Sequence, residues 1–349
     1  MEKREFDSYF DEFEEDNNIP LIRNMPHREQ RPGWTPRTVR SPNRVTMDEA
    51  VRRADQTGDQ DGFDFSYTAS RHEQEWIVSS LGRFYDGQWL DDVVRLLQGG
   101  KEAHVYQCLA NTSVSELSQP YIAAKVYRPR RFRSLKKDHL YREGRGRLDE
   151  DGNVIIDGGR LHAMNQRSAY GLKLLHGSWI EHEFQTLKLL HCAGVDVPLP
   201  LERGDNAILM EYIGGEDTPA PILNSLHLDP GQAKLLFERV LVNVEKMLTH
   251  NRVHADLSAY NILYWSGRIT LIDFPQAIDP NENRSAFLIF ARDIRRICEY
   301  FTRQGVECDS REIAANLWTS HGFRLRPEVH PALLDDQDEG DIAYWRGLR

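Results

Sequence analysis

Apolar positions along the chain fall into three regimes. Over residues 1–66 they are sparse, and five prolines (Pro20, Pro26, Pro32, Pro36 and Pro42) fall within 23 residues. Such a stretch buries too little apolar surface to offset its ordering entropy. It is read as a mostly disordered polar extension with one short helix at 47–54.

Between 67 and 210 the pattern tightens. Trp76, Ile77 and Leu81 recur at helical spacing. Trp89, Val93, Val94, Leu96 and Leu97, then Val105-Tyr106, then Tyr121-Ile122-Ala123-Ala124-Lys125-Val126-Tyr127 predict short antiparallel strands. Asp151-Gly152-Asn153, set between Leu148 and Val154-Ile155-Ile156, predicts a hairpin turn. A helix is predicted over 179–192, with Ile180, Phe184, Leu187 and His191 on one face, and a buried strand at Ala207-Ile208-Leu209-Met210.

From 211 onward the chain turns helical. Leu236, Val240, Val244, Met247 and Leu248 mark a helix over 231–250, and 284–303 follows suit. The expectation is an α+β fold of two lobes: a small β-rich lobe over 67–210, and a helical lobe over 211–349 ending in an acidic tail. Residues 211–215 would connect them.

Charge sharpens the picture in two places. The 349 residues carry 44 Lys+Arg against 54 Asp+Glu, a formal charge of −10, which argues against a general nucleic-acid or membrane binder. Residues 128–147 reverse that sign, with nine Lys/Arg against two acids. They are expected to dock a polyanionic partner, such as ribosomal RNA or an acidic protein surface. The acidic stretch at 2–16 and the tail at 335–341 offer a blander pairing. Cys108, Cys192, Cys298 and Cys308 form no C-x-x-C pair, so a thiolate zinc site and a disulfide framework are not expected, and a cytoplasmic location is. The longest apolar runs, such as 286–291, fall far short of the ~20 residues of a membrane span. From its opening residues no secretory signal is expected.

The chemistry concentrates in His254-Ala255-Asp256-Leu257-Ser258-Ala259-Tyr260-Asn261 and, after a strand pair closed by Trp265-Ser266-Gly267-Arg268, in Leu271-Ile272-Asp273-Phe274. Phosphoryl transfer uses such a set. One carboxylate orients the nucleophile, while an amide oxygen and a second carboxylate hold a hard divalent cation on the phosphates. His254 is read as a loop-stabilising residue.

Upstream, Lys125 stands alone in an apolar strand, and a buried ammonium needs a partner. Glu183 and Glu181 are the helix candidates, and Glu183 is preferred because Leu187 lies one turn later on the inward face. Gly99-Gly100-Lys101-Glu102-Ala103-His104-Val105-Tyr106 suits a strand–turn–strand that covers phosphates with backbone N–H groups, although it matches neither G-x-G-x-x-G nor a Walker A loop. Met210-Glu211-Tyr212-Ile213-Gly214-Gly215 suits a connector that meets an adenine edge.

Together these residues resemble the RIO family of atypical protein kinases. Gly100-Lys101-Glu102-Ala103-His104-Val105-Tyr106 is similar to its phosphate loop, His254 to Asn261 to its H-x-D-L-S-x-Y-N loop, and Ile272-Asp273-Phe274-Pro275-Gln276 to its I-D-x-x-Q segment. The resemblance implies a protein-kinase-like fold without a long activation loop. It also implies ATP with Mg²⁺ (or Mn²⁺), and transfer of the γ-phosphate to Ser/Thr of proteins, the chain itself included. In some members ATP hydrolysis is coupled to maturation of the small ribosomal subunit. By the same resemblance Lys125 contacts phosphate, Asp256 is catalytic, and Asn261 and Asp273 are metal ligands, while Glu183 remains the preferred partner of Lys125 from its inward face. Gly99, Gly100, Lys101, Glu102, Val105, Met210, Glu211 and Ile213 would bind the nucleotide.

Two departures stand out: Gln98-Gly99 replace a Ser-Thr pair, and Ala259 replaces a common acid. A small-molecule phosphotransferase of aminoglycoside-kinase type shares H-x-D-x-x-x-x-N, but Leu257-Ser258 and the Gly-Lys-Glu-Ala loop argue against it. Retention of Lys125, Asp256, Asn261 and Asp273 argues against a nucleotide-binding scaffold without turnover.

Overall fold

Apolar runs separated by turn residues build the strand-rich half. Helix α1 (Arg71–Asp86) buries Ile77, Leu81 and Phe84 and leads into strands β1 (Leu90–Gly99), β2 (Ala103–Ala110) and β3 (Tyr121–Tyr127). With β4 (Pro200–Arg203) and β5 (Ala207–Glu211) these form one antiparallel sheet of order β1-β2-β3-β5-β4. The near-continuous burial of β3 follows from its central place, with β2 on one side and β5 on the other.

The computed structural model describes residues 63–100, 102–117, 119–128 and 145–325. The expected extension up to residue 62 with its 47–54 helix, Lys101, residues 129–144 of the basic segment and the tail beyond 325 lie outside the described residues.

Across the sheet lies a helical hairpin, α2 (Gly158–Asn165) and α3 (Ala169–Cys192). Ile180 and Phe184 of α3 pack with Ala123, Tyr127, Ile208, Met210 and Tyr212 into one buried cluster. The helix starts ten residues before the predicted position 179, because Ser168 caps it by accepting the Gly171 N–H at 3.0 Å. Gly171, Gly177 and Ser178 look like helix breakers in sequence, yet Gly171 has a packing reason to be there. A Cβ on it would lie 1.8 Å from the Ala163 carbonyl oxygen of α2. His191, predicted on the buried face, is exposed. The predicted turn at 151–153 closes a Leu148–Val154 bridge, with Gly152 at φ +79°.

A stability prediction follows from the hairpin. Gly171→Ala should destabilise the fold by about 1–3 kcal/mol through overpacking, lowering the melting temperature by several degrees. Gly177→Ala is the control. Its Cβ would meet only the Arg203 guanidinium at 3.6 Å, an ordinary contact, so melting should stay level or rise slightly. Equal melting of the two variants would contradict the packing argument.

The second half is helical, as the periodicity predicts. Asp229 caps α4 (Pro230–Thr249) by accepting the N–H groups of Gly231 and Gln232. Next come β6 (Ile262–Trp265) and β7 (Arg268–Leu271), joined through Ser266-Gly267 with φ of +49° and +80°. Positive φ at both central residues is the twist-matched two-residue hairpin turn. Helix α5 (Ala286–Arg303) and the unpredicted α6 (Ser310–Ser320) close the core, with Trp318 buried against Phe287 and Phe290. Among the described residues no helix is long and apolar enough to cross a membrane.

Candidate active site

Lys125 is the centre from which the site is built. It sits on β3 opposite Val105 of β2 and Ile208 of β5, and is buried. Its Nζ lies 2.5 Å from Glu183 Oε1 on α3 and 2.6 Å from Asp273 Oδ1, two residues beyond β7. One ammonium thus joins a strand, a helix and a loop. Tyr127, two residues along β3, donates its hydroxyl to Glu183 Oε2 at 2.6 Å, so both oxygens of that carboxylate are held.

Three consecutive residues of α3 reach three different elements, and this decides between the two candidate glutamates. Glu181 Oε2 pairs with Arg203 Nε at 2.9 Å on β4, so it is committed elsewhere. His182 donates to the Ala277 carbonyl at 2.9 Å, just after the Asp273 loop. Glu183 takes Lys125. Burial works against the Lys125 charge, but Asp273 and Glu183 outweigh it and raise the pKa. Burial also works against the Asp273 charge, and Lys125 outweighs it, holding that carboxyl below its usual range. Both charges therefore persist at neutral pH.

The catalytic-loop candidates converge on the same point. His254 is buried, with its ring 4.4 Å from that of Phe274. Its Nδ1 accepts the Asp256 N–H at 3.3 Å, which leaves Nε2 to donate to the Ile272 carbonyl at 3.1 Å. Burial lowers its pKa and favours this neutral form. His254 therefore ties the Asp256 loop to the Asp273 loop, as its reading as a loop-stabilising residue requires. Asn261 Nδ2 donates to the Asp256 carbonyl at 2.9 Å and to Asp256 Oδ2 at 3.2 Å, so its amide oxygen is the end left for a cation. Ala255 and Asp273 hold φ of +66° and +72°, each costing about 1–3 kcal/mol for a side-chain-bearing residue. The strain flanks the centre on both loops.

On the sheet side, the Gly100 N–H donates to the Ala103 carbonyl at 2.9 Å, and a Cβ at Gly100 would lie 2.8 Å from that oxygen. The turn therefore demands glycine. Gly99 pairs with His104 across the hairpin, and the Glu102 carbonyl accepts the Arg128 N–H at 2.8 Å. Met210 and Glu211 end β5, and the chain passes through Tyr212 and Ile213 into the second half. Arg95 of β1 straps this connector by donating to the carbonyls of Glu216 and Asp217 at 2.7 and 2.9 Å.

Sequence reasoning missed the contribution of α5. Arg296 Nη1 lies 2.8 Å from Asp256 Oδ1, and Arg292 donates to the Ala255 carbonyl. Asp293, buried beside Arg292, has its pKa pushed up to about 6 by burial, only partly countered by that arginine. A signal existed: Asp293 lies among the otherwise apolar buried positions of α5.

Its raised pKa has a sign that can be checked. The folded state binds the Asp293 proton more tightly than the unfolded chain between about pH 4 and pH 6. Stability relative to Asp293→Asn should therefore fall as pH rises through that window, by about 3 kcal/mol for a two-unit shift, and then level off. Denaturant midpoints of both proteins at pH 4, 5, 6 and 7 measure it. A difference independent of pH would contradict the assignment.

Residues 104–313, more than half of the chain, match the RIO domain family. The match begins just after Gly99 and Gly100 and includes Lys125, Glu183, Asp256, Asn261 and Asp273. The RIO-type serine/threonine-protein kinase Rio1 of Thermoplasma acidophilum is 33% identical over 135 residues, which cover 39% of this chain and 69% of that protein. The corresponding protein of Haloferax volcanii is 29% identical over 213 residues, 60% of this chain and 63% of its own. Human serine/threonine-protein kinase RIO1 is 31% identical over 130 residues, 37% of this chain but only 23% of that larger protein.

Proposed function

The chain belongs to the RIO family, and on that premise we propose that it is an ATP-dependent serine/threonine protein kinase that also phosphorylates itself. The observation that carries the reading is the Lys125 bridge, 2.5 Å to Glu183 and 2.6 Å to Asp273, because it brings to one point the side chains that this reading assigns to phosphate and cation. Residues 67–210 serve as the nucleotide-facing lobe, and 211–349 as the lobe carrying the catalytic and metal loops.

In this reading Gly99, Gly100, Lys101, Glu102 and Val105 cover the phosphates, while Met210, Glu211 and Ile213 frame the adenine. Lys125 neutralises phosphate oxygens, and Glu183 with Tyr127 holds it in place. Asp256 orients the acceptor hydroxyl and takes up its proton. A divalent cation suits the donors present: the Asp273 carboxylate and the Asn261 amide supply oxygen, which Mg²⁺ or Mn²⁺ requires. No group of three or more His, Cys, Asp or Glu able to hold a metal occurs among the described residues, so phosphate and water oxygens would complete the shell. The cation, when bound, neutralises charge on the transferring phosphoryl group.

The basic segment 128–147 is assigned to docking an anionic partner, either an acidic protein surface or ribosomal RNA. Support comes from its two ends. Arg128 is held by Glu102 of the phosphate loop, and Arg145 donates to the carbonyls of Pro275 and Ala277 at 2.9 and 2.8 Å. Both ends border the proposed site, and the cysteine pattern supports a cytoplasmic setting.

Incubation of the purified chain with γ-labelled ATP and Mg²⁺ tests the reading, with protein acceptors and aminoglycosides supplied separately. Label on Ser or Thr supports it. Label on the small molecule alone would favour the small-molecule phosphotransferase, and nucleotide binding without turnover would favour a scaffold.

A further inference from the structure

We propose that Arg296 reads a carboxylate next to the phosphoacceptor hydroxyl, so that the chain prefers Ser or Thr flanked by Asp or Glu. The inference rests on the kinase reading above and adds a substrate class to it.

The argument starts from Asp256. If its carboxylate orients the acceptor, the hydroxyl must approach one of its oxygens to about 2.6–3.2 Å. Oδ2 already accepts from Asn261 at 3.2 Å, and Oδ1 lies 2.8 Å from Arg296 Nη1. Each carboxylate oxygen keeps a further lone pair, so the hydroxyl can bind without displacing either neighbour. Bound at Oδ1, it arrives within about 6 Å of Arg296 Nη1, one hydrogen-bond length beyond the ion pair, and at Oδ2 about one carboxylate width farther. The residues flanking the acceptor are then the groups that meet Arg296.

Arg296 has capacity to spare. A guanidinium carries five N–H donors in a rigid fork that matches a carboxylate. Asp256 engages Nη1, and among the described residues no second acceptor is seen on the side chain, which is 39% exposed. Its neighbour one turn earlier differs: Arg292 is 19% exposed and spent on the Ala255 carbonyl and Asp293. One arginine of α5 thus builds the loop from beneath, while the other stands at the surface beside the reacting oxygen. The chain's net charge of −10 repels acidic peptides at long range. A preference for them must therefore come from local cations, and the Arg296 variants separate its contribution from that of the basic segment 128–147.

The test compares peptides that differ only in the residues flanking one Ser: Glu-flanked, Ala-flanked and Lys-flanked. Wild type is expected to show at least a tenfold higher kcat/KM for the Glu-flanked peptide than for the Ala-flanked one. In Arg296→Gln that ratio should fall to near one, whatever happens to absolute rate, and in Arg296→Lys it should be intermediate because charge stays and the fork is lost. A wild-type ratio near one, or a ratio that survives in Arg296→Gln, overturns the inference while leaving the kinase reading intact. If peptides are refused but the chain labels itself, the mapped autophosphorylation sites serve instead: acid-flanked sites support the inference, and sites without acidic neighbours overturn it. Absence of both labels contradicts the kinase reading itself, and the inference falls with it.

Discussion

Asp256→Asn is expected to slow phosphoryl transfer by roughly 10²- to 10⁴-fold, the span usual for a positioned proton acceptor. The substitution preserves size and keeps an oxygen for the Asn261 amide, which lies 3.2 Å from Asp256 Oδ2. It removes the charge that faces Arg296 at 2.8 Å and the basicity that a hydroxyl proton needs. In the proposed reading ATP contacts lie elsewhere, on the Gly99-Gly100 turn, the Lys125 strand and the connector. Titration with ATP should therefore give a dissociation constant close to wild type, while single-turnover labelling collapses. Wild-type-like turnover in the variant would remove Asp256 from its role. Loss of ATP binding in a folded variant would show that the carboxylate acts on the nucleotide rather than on the acceptor.

The second large effect is expected at Asp273. Its carboxylate does two things: it is an oxygen donor suited to the cation, and it is one of the two anions on Lys125. Asp273→Asn keeps an oxygen but loses the charge. The cost to transition-state charge stabilisation is several kcal/mol, or about 10³-fold or more in rate. Half-saturation should move to much higher Mg²⁺, a shift that Asp256→Asn should not produce. Stability should fall less than for a fully buried ion pair, because the Asp273 side chain is 41% exposed and Glu183 stays 2.5 Å from Lys125. Turnover against Mg²⁺ concentration, with melting curves of the same samples, separates the two consequences. An unchanged Mg²⁺ dependence would contradict the metal assignment.

The legible part of this molecule is the part where chemistry and local pattern coincide. Lys125 was readable because an ammonium in an apolar strand is costly unless paired. Asp256, Asn261 and Asp273 were readable because their spacing brackets a two-residue hairpin whose turn residues are explicit in Ser266-Gly267. Glu183 rather than Glu181 pairs with Lys125, and Leu187 one turn later on the inward face is the local sign of it. The missed parts depend on contacts between distant segments. Helix α3 starts at Ala169 with Ser168 as its cap, but it runs through Gly171 because that glycine lets it approach α2 closely, a contact that local propensity does not show. Arg292 and Arg296 reach the Asp256 loop across about 40 residues of sequence, and on a helix an arginine gives no local sign of what it will touch. Strand β4 is only four residues long and starts with a proline, so neither alternation nor propensity announces it.

The central claim is that Lys125, Glu183, Asp256, Asn261 and Asp273 form one phosphoryl-transfer centre. A crystal structure of the chain with a non-hydrolysable ATP analogue and Mg²⁺ tests it most directly. The account predicts the triphosphate beneath the Gly99-Gly100 turn, Lys125 Nζ on phosphate oxygens, the cation coordinated by the Asp273 carboxylate and the Asn261 amide oxygen, and the terminal phosphate facing Asp256. A nucleotide bound away from Lys125, or a cation that touches neither Asn261 nor Asp273, would contradict it.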